Sequence, residues 1–477
     1  LCWSRHVPTS LDLLAGLLRL VPSVLEHPAE VEHLLKVDVL VLRPREYLDL
    51  ATDRDPELAV VLLLDGANGL GQRHHVNPSN VVPRRVREDR RQRVDVVVVQ
   101  VGGLIALCGF GHSATLSRIA CASLLCVTDR LITDEFPTPL GWSSGHLQTI
   151  RSRVVRRSRD LDRDGTSRPL LVDLADGTGD KLAVQVHRSR RKPVNPSAGG
   201  LVVLVHGLGG SVESDYMRAT TAGLLHAGFN VARVDLRGAG ASGETCSLLY
   251  HAGRTEDLRA VLRALANQPE AATGRNGEPR LALMGFSLGG SMTIKLMGEP
   301  HEGLPIFAAV AVSAPLDLTV GSAYLNQMGF GLYEKFLVAG LKRQALQPGP
   351  RGTLRVSPQE HDAIRAAKDL AEFDDALTAP RNGWRDAKEY YAVNSSGPYL
   401  PKITEPTLVI HSVDDPMIPA SPYQAIHWEA LEANGPIQRR ITRRGGHVGF
   451  HERGRELPWY VGQAVRFLWS VSSDDDV

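Results

Sequence analysis

The segment Leu283-Met284-Gly285-Phe286-Ser287-Leu288-Gly289-Gly290 constrains this chain more than any other, because it sets a serine between two glycines directly after an apolar run. In a G-x-S-x-G arrangement a strand ends, the chain turns sharply and a helix begins at once. The serine is forced into a strained conformation with Oγ exposed. Glycines are needed two residues to either side, since a Cβ there would collide with neighbouring backbone. The flanks suit this context: Arg280-Leu281-Ala282-Leu283-Met284 reads as a short apolar strand, and Ser291 to Met297 as the helix that follows. The pattern predicts a nucleophile elbow with Ser287 at its tip.

A serine hydroxyl is a poor nucleophile at neutral pH, so Ser287 needs a base, and the base needs an orienting partner. Two downstream segments supply them in the order Ser, Asp, His. In His411-Ser412-Val413-Asp414-Asp415-Pro416-Met417-Ile418-Pro419 a strand ends in a carboxylate-bearing turn. In Arg443-Arg444-Gly445-Gly446-His447-Val448-Gly449-Phe450 a glycine-flanked histidine lies near the C-terminus. Between them there is room for one helix and one strand. His447 is the expected base. Asp415, which opens a D-x-x-x-P turn, is the favoured acid, with Asp414 as the alternative. His206-Gly207-Leu208-Gly209-Gly210 follows the apolar run Leu201 to Val205 and reads as an oxyanion loop, in which the backbone N–H of Leu208 acts with that of Leu288. His206 itself reads as a structural hydrogen-bonding residue. Such chemistry requires no metal and no organic cofactor. Gly238-Ala239-Gly240-Ala241-Ser242-Gly243 satisfies G-x-G-x-x-G, but no apolar helix opens after it, which argues against a dinucleotide site. His447 and His451, four residues apart, lack the H-E-x-x-H pattern of a metal site.

From Leu131 onward, short apolar strands alternate with amphipathic stretches, the pattern of an α/β fold with a mostly parallel central sheet. The clearest strands are Leu201 to His206, Asn230 to Leu236, Pro279 to Met284, Phe307 to Ser313 and Pro406 to Ile410. Helices are expected over Thr220 to Ala227 and Arg254 to Ala266. Between residues 316 and 400 the strand rhythm stops and Tyr324, Phe330, Tyr333, Phe336, Phe373, Trp384, Tyr390 and Tyr391 concentrate. A helical cap insertion is expected there, either as a lid over an acyl pocket or as the ordinary core of an inserted subdomain; one insertion can do both.

Residues 1–130 differ in composition from residues 131–477. Lys36 is their single lysine, Trp3, Tyr47 and Phe110 their only aromatics, and the first methionine of the chain is Met217. We expect much of this region to be a mis-extended reading frame, with a native start near Val127 or Leu131; a small appended domain is the alternative. The charge run Arg84 to Arg93 reads as a solvated face rather than a nucleic-acid arm. Val96 to Phe110 is apolar apart from Gln100 but too short to span a membrane, and its valine run reads as a buried strand. A net charge of +1 does not call for nucleic acid as a partner, and five cysteines without paired spacing suit a reducing, cytoplasmic setting.

The chain also resembles the YheT-like branch, family 4, of the α/β-hydrolase superfamily. The likeness covers about 131 to 465. It rests on Phe136-Pro137, His146-Leu147-Gln148-Thr149-Ile150, the loop from His206 with Glu213-Ser214, and Leu236-Arg237-Gly238-Ala239-Gly240. Further matches are Tyr250-His251-Ala252-Gly253 with Asp257, the elbow, Phe373-Asp374-Asp375, Tyr390-Tyr391, Asp414-Asp415-Pro416 and Gly445-Gly446-His447. The H-L-Q-T segment is the most family-specific of these. The resemblance implies an α/β-hydrolase fold with helices on both faces of the sheet. It implies a serine hydrolase acting on small-molecule carboxylic esters of short or medium acyl chains, with alcohol acyl transfer or action on lipids in some relatives. A non-catalytic binding protein on the same scaffold is the rival from another class, against which all three catalytic positions are filled. His146, Gln148, Tyr250 and His251 are expected to be structural, packing the N-terminal segment near the site.

Overall fold

The computed structural model describes residues 95–101, 104–110, 131–155, 160–193, 199–274, 277–301 and 303–473. Most of the expected reading-frame extension therefore lies outside the described residues. Within it, β1 (Asp95–Val101) and β2 (Leu104–Phe110) pair antiparallel, with Val98 opposite Leu107. The valine run expected as a strand lies within β1.

In chain order the remaining strands are β3 (Gly165–Asp173), β4 (Lys181–Ser189), β5 (Leu201–Val205), β6 (Asn230–Val234), β7 (Leu281–Phe286), β8 (Ile306–Val312), β9 (Thr407–Ser412) and β10 (Ile437–Thr442). They form one eight-stranded sheet in the order β10-β9-β8-β7-β5-β6-β4-β3. β4 runs antiparallel to both β3 and β6, and the other neighbours are parallel. From β5 the chain goes to β6 on one side and then crosses to β7 on the other, so the order reverses between β5 and β7. In such sheets the crevice at the carboxyl ends beside that reversal is where sites form.

Flanking helices are α1 (Gly145–Val154), α2 (Asp215–His226), α3 (Thr255–Ala266), α4 (Leu288–Met297), α5 (Leu318–Gln327), α6 (Leu332–Leu346), α7 (Pro358–Ala366), α8 (Ala387–Asn394) and α9 (Trp459–Ser473). β5 is buried throughout, and its alternation serves both faces of the sheet. Val202 and Leu204 pack with Met217 and Leu224 of α2 and Tyr460 and Leu468 of α9. Leu201, Val203 and Val205 pack with Leu258 and Leu262 of α3 and Met292 and Leu296 of α4. α3 forms because Leu258, Val261, Leu262 and Leu265 recur on one face, all buried, while Glu256 and Asp257 lie in its first turn. Among the described residues no helix is long and apolar enough to cross a membrane.

Between β8 and β9 the chain is helical from α5 to a 3₁₀ turn ending at Lys402, with no strand among the described residues. Its aromatics divide. Tyr390 and Tyr391 join the core on one face of the sheet. Phe373 builds a separate small core with Ala345, Val356, Ile364, Ala367 and Leu377. Leu325, Leu337, Val338 and Leu370 form a third cluster, against which Leu208 and Met417 pack.

Candidate active site

Ser287 stands between β7 and α4 with φ 52 and ψ −122, in the left-handed half of conformational space that L residues avoid. The glycines around it are enforced by contact. A Cβ on Gly285 would lie 2.1 Å from the Gly289 carbonyl oxygen, and one on Gly289 2.5 Å from that of His206. The Ser287 amide donates to the Val312 carbonyl at 2.8 Å, which ties the elbow to the end of β8.

His447 lies in an irregular loop after β10. Its Nδ1 meets Asp415 Oδ2 at 2.9 Å. Asp415 is buried, and its Oδ1 accepts from the amides of Met417 (2.8 Å) and Ile418 (2.9 Å). Burial pushes this carboxyl up, but the charge and hydrogen bond of His447, with His411 and the Ile418 amide, outweigh it and hold Asp415 below the usual range. Asp414 behaves in the opposite way. Its Oδ1 accepts from Gly445 (2.8 Å) and Gly446 (2.9 Å), and burial pushes it up to about 6. It grips the backbone of the histidine loop, whereas Asp415 meets the imidazole. The next amide past the histidine, Val448 N–H, donates to Ser313 Oγ at 3.2 Å. Ser287 and the histidine loop are therefore both anchored at the Val312-Ser313 step.

After β5 the glycine-rich loop runs beside the elbow, so close that a Cβ on Gly207 would lie 2.9 Å from the Ser287 Cβ. Tyr216 Oη accepts from Gly207 N–H at 3.0 Å, Tyr250 Oη from Gly209 at 2.8 Å, and the Gly207 carbonyl from Gly210 at 3.0 Å. The Leu208 N–H has no such acceptor among the described residues. Leu288, as the first residue of α4, has no intrahelical acceptor either. His206 is buried and structural: Leu236 N–H donates to its Nε2 at 3.1 Å, so Nδ1 carries the proton donated to the Gly207 carbonyl at 2.8 Å. We expect Gly207→Ala to lower kcat by about 10²-fold with KM little changed, since its Cβ must displace the elbow. Ester hydrolysis kinetics check this, and undiminished kcat would mean the loop tolerates that Cβ without moving Ser287.

The structure corrects the grouping of the residues read as packing the N-terminal segment. Tyr250 holds the glycine-rich loop after β5, and His251 packs edge-on against Trp384 and Tyr390 of the helical insertion. His146 and Gln148 do belong to the N-terminal helix α1. His146 stacks on Tyr333 of α6 and its Nδ1 lies 3.0 Å from Tyr333 Oη. Gln148 is wholly buried against the histidine loop. Two further groups face the pair: Tyr324, whose Oη donates to the Asp415 carbonyl at 3.4 Å, and His411. His411 stacks on Tyr423 with centroids 4.0 Å apart, and burial lowers its pKa to about 4, so it is neutral. Neither was visible as a site residue, because nothing in the spacing distinguishes them from ordinary core. G-x-G-x-x-G becomes a 3₁₀ turn over Gly240–Gly243, held by Asp235 through the Ala241 amide. Arg237 beside it is buried among Asp257, Asp180 and Asp176.

Residues 202–457 match the alpha/beta hydrolase family. YheT of Escherichia coli, an esterase by name, is 32% identical over 321 residues, which span 66% of this chain and 87% of that protein. A monoacylglycerol lipase of Saccharomyces cerevisiae is 29% identical over 275 residues, 56% of this chain and 58% of its own. A second protein of that yeast, named medium-chain fatty acid ethyl ester synthase/esterase 2, is 29% identical over 275 residues, 53% of this chain and 58% of its own. The chain thus spans little more than half the length of the two yeast relatives. With one relative matched at that identity over most of its length, and a family match across the sheet from β5 to beyond the histidine loop, the chain belongs to the α/β-hydrolase family, in its YheT-like branch.

Proposed function

We propose that this carboxylic ester hydrolase works through a triad of Ser287, His447 and Asp415, with the amides of Leu208 and Leu288 as its oxyanion hole. The reading is carried by the 2.9 Å bond between His447 and the buried carboxylate of Asp415, in a loop anchored beside the elbow. His447 takes the Ser287 proton as Oγ attacks the ester carbonyl, and Asp415 holds the imidazole in the tautomer whose Nε2 can accept it. The tetrahedral oxygen is held by the two amides, and collapse expels the alcohol, which receives the proton from His447. Water then attacks the acyl-enzyme by the same route in reverse, with no metal or organic cofactor in any step. A fluorophosphonate probe tests this directly. Mass spectrometry of digested, labelled protein is expected to find the adduct on the Ser287 peptide, and a label elsewhere would overturn the assignment.

The acyl group is of short or medium length and lies against Leu325, Leu337, Val338 and Leu370, the insertion cluster that reaches Leu208 of the oxyanion loop and Met417 beside Asp415. On this reading residues 316–400 are both cap and subdomain core. Val338→Phe, which fills part of that face, is expected to shift the kcat/KM optimum of a p-nitrophenyl ester series toward shorter chains by about tenfold or more. An unchanged chain-length profile would remove the cluster from the acyl site. Transfer to an alcohol in place of water is the second reading, favoured by the name of the second yeast relative. Product analysis in mixed water and ethanol separates the two, since a transferase yields ethyl ester well beyond the solvent ratio.

A further inference from the structure

His447 sits where neither strand nor helix holds it. Gly446, Val448 and Phe450 on either side have φ of 60, 54 and 47, and for a β-branched valine such a value is strained. A loop of this kind keeps its shape only if its surroundings impose it. The amides of Gly445 and Gly446 are held by Asp414 and that of Val448 by Ser313, both from the carboxyl ends of the sheet. The amide of His447 itself is held from elsewhere. It donates to Thr149 Oγ1 at 2.8 Å, while that hydroxyl donates to the Gly145 carbonyl at 2.7 Å. The Thr149 proton is thereby committed to its own helix, leaving a lone pair directed at the histidine.

One turn of α1 is fitted to the loop around this bond. Gln148 Oε1 accepts from His451 N–H at 2.6 Å, and its Nε2 donates to the carbonyls of Trp142 (2.6 Å) and His451 (3.3 Å). A Cβ on Gly446 would lie 2.2 Å from the Gly145 oxygen, and one on Gly449 2.5 Å from the Gln148 oxygen. On the other side, a Cβ on Gly145 would lie 1.7 Å from the Asp414 oxygen. Helix and loop meet backbone to backbone, at a depth that glycine alone permits.

The geometry points to Thr149 as a positioning residue for the catalytic histidine, with Gln148 fixing the far end of the same loop. This makes α1, which precedes the family match over residues 202–457, a working part of the active site. The inference rests on the reading of His447 as the base. Loss of the Thr149 acceptor frees the His447 amide, lets the strained loop relax and turns the imidazole away from Ser287, while the oxyanion loop and acyl face are untouched. The effect falls on kcat and on the reactivity of Ser287, not on KM.

The experiment compares Thr149→Val, which keeps the shape but removes the acceptor, with Thr149→Ser, which keeps the hydroxyl, each alone and the valine also with His447→Ala. Rates on a p-nitrophenyl ester are normalised to folded protein by near-ultraviolet circular dichroism. If the valine variant does not fold, Thr149→Cys, a weak acceptor of similar size, takes its place. Thr149→Val is expected to lower kcat and the fluorophosphonate labelling rate by about 30-fold, with KM within about twofold, and serine to restore both. With His447→Ala already present, valine is expected to cost nothing more, because groups acting through one another are non-additive. A valine variant with wild-type kcat beside an inactive His447→Ala overturns the role of Thr149 and leaves the triad standing. So does an equal loss in both backgrounds, which marks a merely structural residue. An active His447→Ala overturns the triad itself.

Discussion

Ser287→Ala is expected to lower kcat by about 10⁶-fold on any ester the protein turns over, and to abolish labelling by fluorophosphonates. The size follows from the proposed triad acting as a unit: without Oγ there is no acyl-enzyme, and His447 and Asp415 have nothing to activate. Residual turnover, about 10³-fold above the reaction in water, comes from the oxyanion amides and binding alone. The loss is chemical rather than structural. Alanine retains the Cβ that already fits beside Gly207, and the elbow amide still donates to Val312. A companion variant reads the strain stored at this residue. Because φ is 52 and ψ −122, Ser287→Gly is expected to raise stability by about 1 kcal/mol while being as inactive as alanine. Thermal melts and ester kinetics on the two variants check both halves. Alanine protein retaining more than about one hundredth of the wild-type rate would displace Ser287 as nucleophile.

Some of this architecture was legible in the sequence because its physics is local. The buried strands β5, β7 and β8 announce themselves as apolar runs, and Gly285 is required by the backbone of Gly289 within the same turn. The runs still misjudged strand ends by a residue or two: β7 spans Leu281–Phe286 where Pro279 to Met284 was expected, its last residues held in the sheet by pairing of Gly285 with Ala311 of β8. β3, β4 and β10 were not anticipated. β3 is an edge strand with alternating exposure and a proline, and β10 carries Gln438, Arg439 and Arg440 in its middle, where Arg439 pairs with Glu429 and Glu432. Polar side chains with partners from elsewhere in the fold leave no hydrophobic period to read. Tyr216 and Tyr250, which hold the glycine-rich loop after β5, and Thr149, bonded to a residue 298 positions away, share that opacity. Their contribution is one hydroxyl placed by tertiary structure.

Asp415→Asn is expected to cost about 10⁴-fold in kcat and Asp414→Asn under about tenfold, and the hydrogen bonds give the reason. Oδ1 of Asp415 accepts two amides, from Met417 and Ile418. An asparagine must leave its carbonyl oxygen there and turn its NH₂ toward His447 Nδ1. That nitrogen then accepts, Nε2 carries the proton, and the imidazole can no longer take one from Ser287. At position 414 the same replacement is benign, because the amide oxygen still accepts from Gly445 and Gly446. The two positions should also part in their pH dependence. Asp415 is held below its unfolded value, so it contributes stability above that value which is lost as pH falls through the lower folded one. Asp414 is pushed up to about 6, so the folded protein binds this proton more tightly than the unfolded chain. Its stability falls as pH rises from about 4 to about 6 and stays lower above that range. Asp414→Asn is therefore expected to melt above wild type at pH 8 and level with it at pH 4, whereas Asp415→Asn melts below wild type at pH 8. Melting curves at the two pH values, with kcat for each variant, test the assignment. A larger kcat loss at 414 than at 415 would reverse the two roles and make Asp414 the partner of His447.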